Sequence, residues 1–129
     1  MSARASFDYA VFRFVPRVER EEFLNVGVIL ICPERRFLDV KTRLDRERLQ
    51  ALWPELDMEQ LDRHIEVLHK ICAGGPDSGS IGRLSQRERF HWLTSPRSTI
   101  LQPSPVRTGL CTGEMNLNEI LDQLSQKLL

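Results

Sequence analysis

F-D-Y-A-V-F-R-F-V-P, residues 7 to 16, and N-V-G-V-I-L-I-C, residues 25 to 32, decide the fold. The first stretch is rich in β-branched and aromatic residues and is bounded by Pro16, which reads as a strand. Alternation places Phe7, Tyr9, Val11, Arg13 and Val15 on one face and Asp8, Ala10, Phe12 and Phe14 on the other. Arg13 is therefore the charged member of an apolar row. The second stretch has apolar residues on both faces, the pattern of a central strand covered on both sides. Between them R-V-E-R-E-E-F-L is a short charged connection with room for one helical turn. The turn C-P-E-R-R-F leads into F-L-D-V-K-T, which predicts an antiparallel hairpin of strands two and three.

Helix signals follow. Asp45 is placed to cap a short helix running to about Leu52, which Pro54 ends. Asp57 and Gln60 have capping-box spacing, and Met58, Leu61, Ile65, Leu68 and Cys72 recur at helical intervals until Gly74-Gly75-Pro76. After a loop over 74–82, R-L-S-Q-R-E-R-F-H-W-L reads as a helix stopped by Pro96. A short strand over 98–102 is flanked by prolines, and Asn116 with Glu119 opens a terminal helix striped by Leu117, Ile120, Leu121, Leu124 and Leu128. Strands and helices do not alternate regularly. The expectation is an α+β fold, a mainly antiparallel sheet of three to four strands with helices packed on it. One domain covers 1–129: strands over 7–42, helices over 45–73, the loop 74–82, then helix, short strand and helix over 83–129.

At 129 residues, the chain is long enough for a single core that buries roughly two thirds of its unfolded surface. No run approaches the roughly 18 apolar residues of a membrane span, and M-S-A-R-A-S is not followed by a signal-like apolar segment. The expectation is a cytoplasmic protein without a membrane partner. Cys32, Cys72 and Cys111 lack C-x-x-C spacing, which points to reduced thiols and to neither a disulfide framework nor a zinc knuckle. Acids and bases balance at 18 each, yet between Arg83 and Arg107 five arginines face one acid, Glu88. A local basic segment on a neutral chain favours a bounded anionic site over coating of a nucleic acid by charge alone.

Several chemistries can be weighed by spacing. His64 and His69 lie five residues apart, about 140° around a helix, and cannot share a metal there. Cys72 continues the apolar stripe and reads as core, and no cofactor is expected. A-G-G-P-D-S-G-S-I-G lacks the Lys-Ser/Thr ending of a phosphate loop and follows a helix, so it reads as a connection. His91 and Ser95 are four apart, but Pro96 and the lack of a G-x-S-x-G elbow argue against covalent catalysis. Glu34, Asp39 and Lys41 faintly match a metal-dependent nuclease pattern, with a mixed-charge hairpin as the plainer reading. Asn25 and Gly27 interrupt one face of strand two. The room at Gly27 suits Arg13, with Glu21, Glu22 or Asn25 as its partner.

F-H-W-L-T-S-P-R-S-T-I-L-Q-P-S-P-V-R-T-G, residues 90 to 109, is too proline-rich for an ordinary strand and stiffer than a plain loop. Together with Y-A-V-F-R-F-V-P and E-F-L-N-V-G-V-I-L, its motifs resemble those of the short bacterial proteins grouped as domain-of-unknown-function family 3037, over about residues 7 to 129. The resemblance implies no catalytic residue. It implies a partner protein, because similar members are often encoded beside a kinase-like protein resembling the toxin of a persistence module. At C-T-G-E-M-N the chain departs from the expected acid followed by proline. The leading expectation is an accessory binding domain in which Arg97, Ser98, Gln102 and Arg107 converge with Arg13 and Asn25 at one sheet edge. They would grip an anionic ligand, a nucleic acid or an acidic partner surface. The alternatives are a phosphodiesterase or nuclease-like enzyme using Glu34, Asp39 and Lys41, or His91, and a purely structural or oligomerising module of unassigned stoichiometry.

Overall fold

A computed structural model describes residues 4–97, 99–112 and 114–129, and a five-stranded antiparallel sheet lies at its centre. The two stretches quoted first form its middle: β1 (Ala5–Phe14) pairs with β2 (Leu24–Cys32), and β2 pairs with β3 (Phe37–Thr42). The β2–β3 turn is a 3₁₀ segment, Pro33–Arg35, closed by Arg36 in the left-handed region at φ 52°. On the other edge of β1, β4 (Leu101–Pro103) pairs with its end and β5 (Arg107–Cys111) with its beginning. The α+β expectation holds.

β2 is buried on both faces, as its continuous apolar run requires. Ile29 and Ile31 join Ala10, Phe12 and Phe14 in one core, while Val28, Leu30 and Cys32 join Ala5, Phe7 and Cys111 in another. The first core is covered by α1 (Arg46–Leu52), α2 (Met58–Ala73) and α4 (Gln86–Leu93), through Leu49, Leu61, Ile65, Phe90 and Leu93. The second is covered by α5 (Leu117–Leu128), through Leu117, Ile120 and Leu121. A fully buried leucine such as Leu61 or Leu121 contributes roughly 1.5–3 kcal/mol by leaving water.

The caps explain where the helices start. Asp45 accepts from the Arg48 amide and Asp57 from the Gln60 amide, each at 3.1 Å. Ser85 and Glu88 form a reciprocal capping box on α4 that was not anticipated. Asn116 caps α5 through the Asn118 amide at 2.8 Å, one residue earlier than the Glu119 spacing suggested.

Four boundaries differ from expectation. β1 begins at Ala5, and β4 occupies 101–103 instead of 98–102. The connection over 74–82 holds a 3₁₀ turn, Pro76–Ser78, and a helical turn, α3 (Gly79–Gly82). β5 is an additional strand. It was hidden because R-T-G-L-C has no alternation of its own: its glycine lies under Phe7, where a Cβ would come 2.4 Å from that ring. Between β4 and β5 the pairing slips by one residue, and Ser104 bridges the gap. Its amide donates to the Val11 carbonyl at 2.7 Å, and its hydroxyl accepts from the Val11 amide at 2.9 Å. The edge is thus an interrupted strand with Pro103 and Pro105 in it, which removes two amides from the rim.

A bulge between Phe12 and Arg13 places Asn25, instead of Val26, opposite Arg13. Val26 goes into the first core, and Asn25 returns to the α5 face, where it donates to the Leu128 carbonyl at 3.1 Å. Asn25 and Gly27 are therefore not on one face. The space at Gly27 is filled by Thr42 and Phe12, at 3.2 and 3.5 Å from a built Cβ, and not by Arg13. No helix among the described residues is long and apolar enough to cross a membrane.

Candidate functional site

The expected cluster is divided between the two faces of the sheet. Asn25, Arg13 and Gln102 are register partners across β2, β1 and β4, which sets them side by side on the α5 face. The Arg13 guanidinium lies 4.4 Å over the Phe23 ring, and Gln102 donates to the Thr99 carbonyl at 2.9 Å. Arg13 Nε and Asn25 Oδ1 are buried without a hydrogen-bond partner among the described residues. Glu22, offered as a partner for Arg13, pairs with Arg20 instead. Arg107 is exposed on the same face, opposite Tyr9, four residues along β1 from Arg13. Ser98 lies outside the described residues.

Arg97 is on the opposite face, and its surroundings are of another kind. Its guanidinium stacks 4.4 Å over the Trp92 ring and donates to the carbonyls of Ser95 and Trp92. Partial burial lowers its pKa from the usual arginine value, since a charged group there loses water. Among the described residues no carboxylate forms an ion pair with it. Beside it opens a cleft of about 380 Å³ with Phe12, Leu68, Ile71, Leu93 and Leu101 as apolar lining. The rest of the lining is Arg63, His64, Val67, Trp92, Arg97 and Thr99, and it contains no acid. The His64 Nδ1 lies 2.8 Å from the Gln60 carbonyl, which can only accept from it. The cleft is apolar inside and cationic at its margin.

Sequence reasoning missed Arg63, Val67 and Trp92 as site residues. A signal was present: Val67 and Ile71 stand beside the Leu61–Ile65–Leu68–Cys72 stripe and widen it by a second apolar row, although Val67 remains 53% exposed. A second cavity of about 600 Å³ lies between Phe14, Trp53, Leu56 and Ile100, with Arg17, Arg20, Glu55, Asp57 and Gln60 around it.

Of the residues of the phosphodiesterase reading, Lys41 and Asp39 are engaged locally. Lys41 is paired with Asp122 of α5, Asp39 accepts from the Val40 amide at 2.8 Å, and Glu34 lies in the 3₁₀ turn. His69 Nε2 is 2.9 Å from Thr42 Oγ1, and the Ser95 hydroxyl donates to the main-chain carbonyl of His91 at 2.7 Å. Among the described residues no three His, Cys, Asp or Glu side chains are grouped to hold a metal. Cys72 is buried in the first core, as its stripe position implied, and burial pushes its thiol up to about 12, with Asp39 adding to the rise and Arg89 opposing it. The basic segment is dispersed as well. Arg89 donates to the carbonyls of Leu84 and Cys72, at 2.7 and 3.4 Å, and so ties the end of α2 to the start of α4.

The sequence profile of the family described as protein of unknown function DUF3037 matches residues 9–129. No curated protein and no solved structure matches the chain.

Proposed function

We propose that this chain, which belongs to the DUF3037 family of proteins of unknown function, is an accessory binding domain that holds an anionic group borne on an apolar body in the Arg97 cleft. The observation that carries the reading is a guanidinium partly removed from water, held by a ring and two carbonyls, with no carboxylate beside it. A cation in that position is destabilised until an anion meets it, and a charge-assisted hydrogen bond contributes about 1.5–3 kcal/mol. The apolar lining would take the rest of the ligand, in the manner of sites that bury a ligand body and orient it by a few polar groups. Arg13, Asn25 and Gln102 fix strand contacts on the other face in this reading.

The test uses 8-anilinonaphthalene-1-sulfonate, an anion on an aromatic body, titrated by fluorescence into the folded chain. Arg97→Gln should weaken binding about tenfold, the equivalent of roughly 1.4 kcal/mol, whereas Arg107→Gln should leave it unchanged. Equal binding by Arg97→Gln and the parent chain, at equal melting temperatures, would overturn the reading.

A further inference from the structure

We infer that the occupant of the Arg97 cleft is one amphipathic helix of a partner protein, with an acidic residue near one end; this rests on the anion-binding reading above and names its partner. In this reading the two cavities, which share no lining residue but follow one another along the same elements, form one groove. Phe14 lines the larger and Phe12, two residues away on the same strand face, the smaller. On α2, Gln60 lines the larger and His64, one turn later, the smaller. Ile100 faces the larger while its neighbours Thr99 and Leu101 face the smaller. From Gln60 to Ile71 the α2 wall is about 16 Å long at 1.5 Å per residue, enough for about three turns of a second helix.

Its rim favours a protein over a free small molecule. Leu52, Val67 and Trp92 border the groove and remain 53%, 53% and 37% exposed. Exposed apolar side chains beside a groove mark a protein-docking surface, whereas a small-molecule pocket encloses its apolar atoms. The charge pattern disfavours a nucleic acid, which needs cations along the whole track of its phosphates. Here Arg63 and Arg97 stand at the smaller cavity without an acid, while at the larger Glu55 and Asp57 stand among Arg17 and Arg20 and interrupt the track. That asymmetry also orients the guest, whose carboxylate meets cations without a competing acid at the Arg97 end. Strand addition is disfavoured because Pro103 and Pro105 remove amides from the nearby edge, which leaves the helix-in-groove mode.

The experiment is selection of a random-peptide display library on the intact chain, followed by fluorescence-anisotropy titration of enriched peptides. Enriched sequences should carry apolar residues at i, i+3 or i+4 and i+7, with Asp or Glu near one end. Val67→Glu, at an exposed helix position that keeps the fold, should weaken them at least about tenfold, and Arg97→Gln should do likewise. Enrichment of sequences without acids, or affinity indifferent to Val67→Glu, would overturn the helix proposal. Sodium dodecanoate and a single-stranded oligonucleotide are titrated in parallel. If either binds through Arg97 while no peptide is enriched, the partner is wrong and the anion site stands; if Arg97→Gln changes no anionic probe, the anion site itself is refuted.

Discussion

Two arginines lie over aromatic rings at the same 4.4 Å, Arg97 over Trp92 on the helix-rich face and Arg13 over Phe23 on the α5 face. The contact is the same and the setting is not. Arg13 belongs to the sheet, beside Asn25, whose amide is tied to the last turn of α5. Arg97 stands beyond the end of α4 and borders open, apolar volume. A half-buried cation therefore has two meanings: on one face it sits among its strand neighbours, and on the other it is left facing a space. Sequence pattern rates the two alike, because each is an arginine near an aromatic in a polar interruption.

If the faces differ only in what they leave open, their cores should contribute equally. Leu61 and Leu121 are each fully buried, one in each core. Leu61→Ala and Leu121→Ala should each destabilise by about 2–5 kcal/mol in urea unfolding, with one cooperative transition in both variants. A second transition in either variant would mean that the cores unfold separately. Next in size is Gly109→Ala. Its Cβ would meet the Phe7 ring at 2.4 Å, and the ring must move against the α5 core, at a cost of about 1–3 kcal/mol. Phe7→Leu added to Gly109→Ala should recover part of that loss, since it removes the ring that the new methyl strikes.

Much of this architecture was legible because it rests on local periodicity. The apolar run of Val26–Cys32 could only be a two-sided strand, and Asp45 and Asp57 could only be caps where apolar rows begin. What escaped depends on pairing between distant segments. The bulge that returns Asn25 to the face of Arg13 comes from register with β1, and β5 is defined by its pairing with β1, where Gly109 lies under Phe7. The cleft is similar. Arg63, Val67 and Trp92 read as ordinary helix surface until the 99–101 segment is laid across from them. Prolines 96, 103 and 105 announced that the segment was constrained, but not which face Arg97 would take.

The two polar settings should separate cleanly in a paired experiment. Asn25→Ala removes the hydrogen bond to Leu128, and it should cost about 1 kcal/mol of stability while leaving anilinonaphthalenesulfonate binding intact. Arg97→Gln should show the reverse, weaker binding with melting almost unchanged, because its partners are two main-chain carbonyls at and just beyond the end of α4, where water can replace much of what it gives. Loss of binding in Asn25→Ala would show that the faces communicate through the sheet, and the comparison between them would fail.

The smallest expected effect concerns how each face is clipped at its surface. Lys41 and Asp122 join β3 to α5 on one side, and Arg46 grips Asp62 through two hydrogen bonds, at 2.8 and 3.1 Å, joining α1 to α2 on the other. The Arg46 guanidinium holds the Asp62 carboxyl below its ordinary value, chiefly by hydrogen bonding, with desolvation opposing the shift and the attraction of charge adding a lesser push in the same direction as the hydrogen bond. A carboxyl whose folded pKa is depressed stabilises the fold above its unfolded pKa, about 3.9, and loses that contribution as pH falls through the lower folded value. Asp62→Asn should therefore flatten the stability profile in the acid limb, with the gap to the parent chain closing as pH drops below about 4. Because both side chains are largely exposed, the gap should be small and should shrink further in about 1 M salt, where the Debye length is about 3 Å. Urea midpoints across that pH range, at low and high salt, measure it directly. A gap that persists at the lowest pH would assign the α1–α2 join to packing through Leu49, and would leave the groove wall independent of its ion pair.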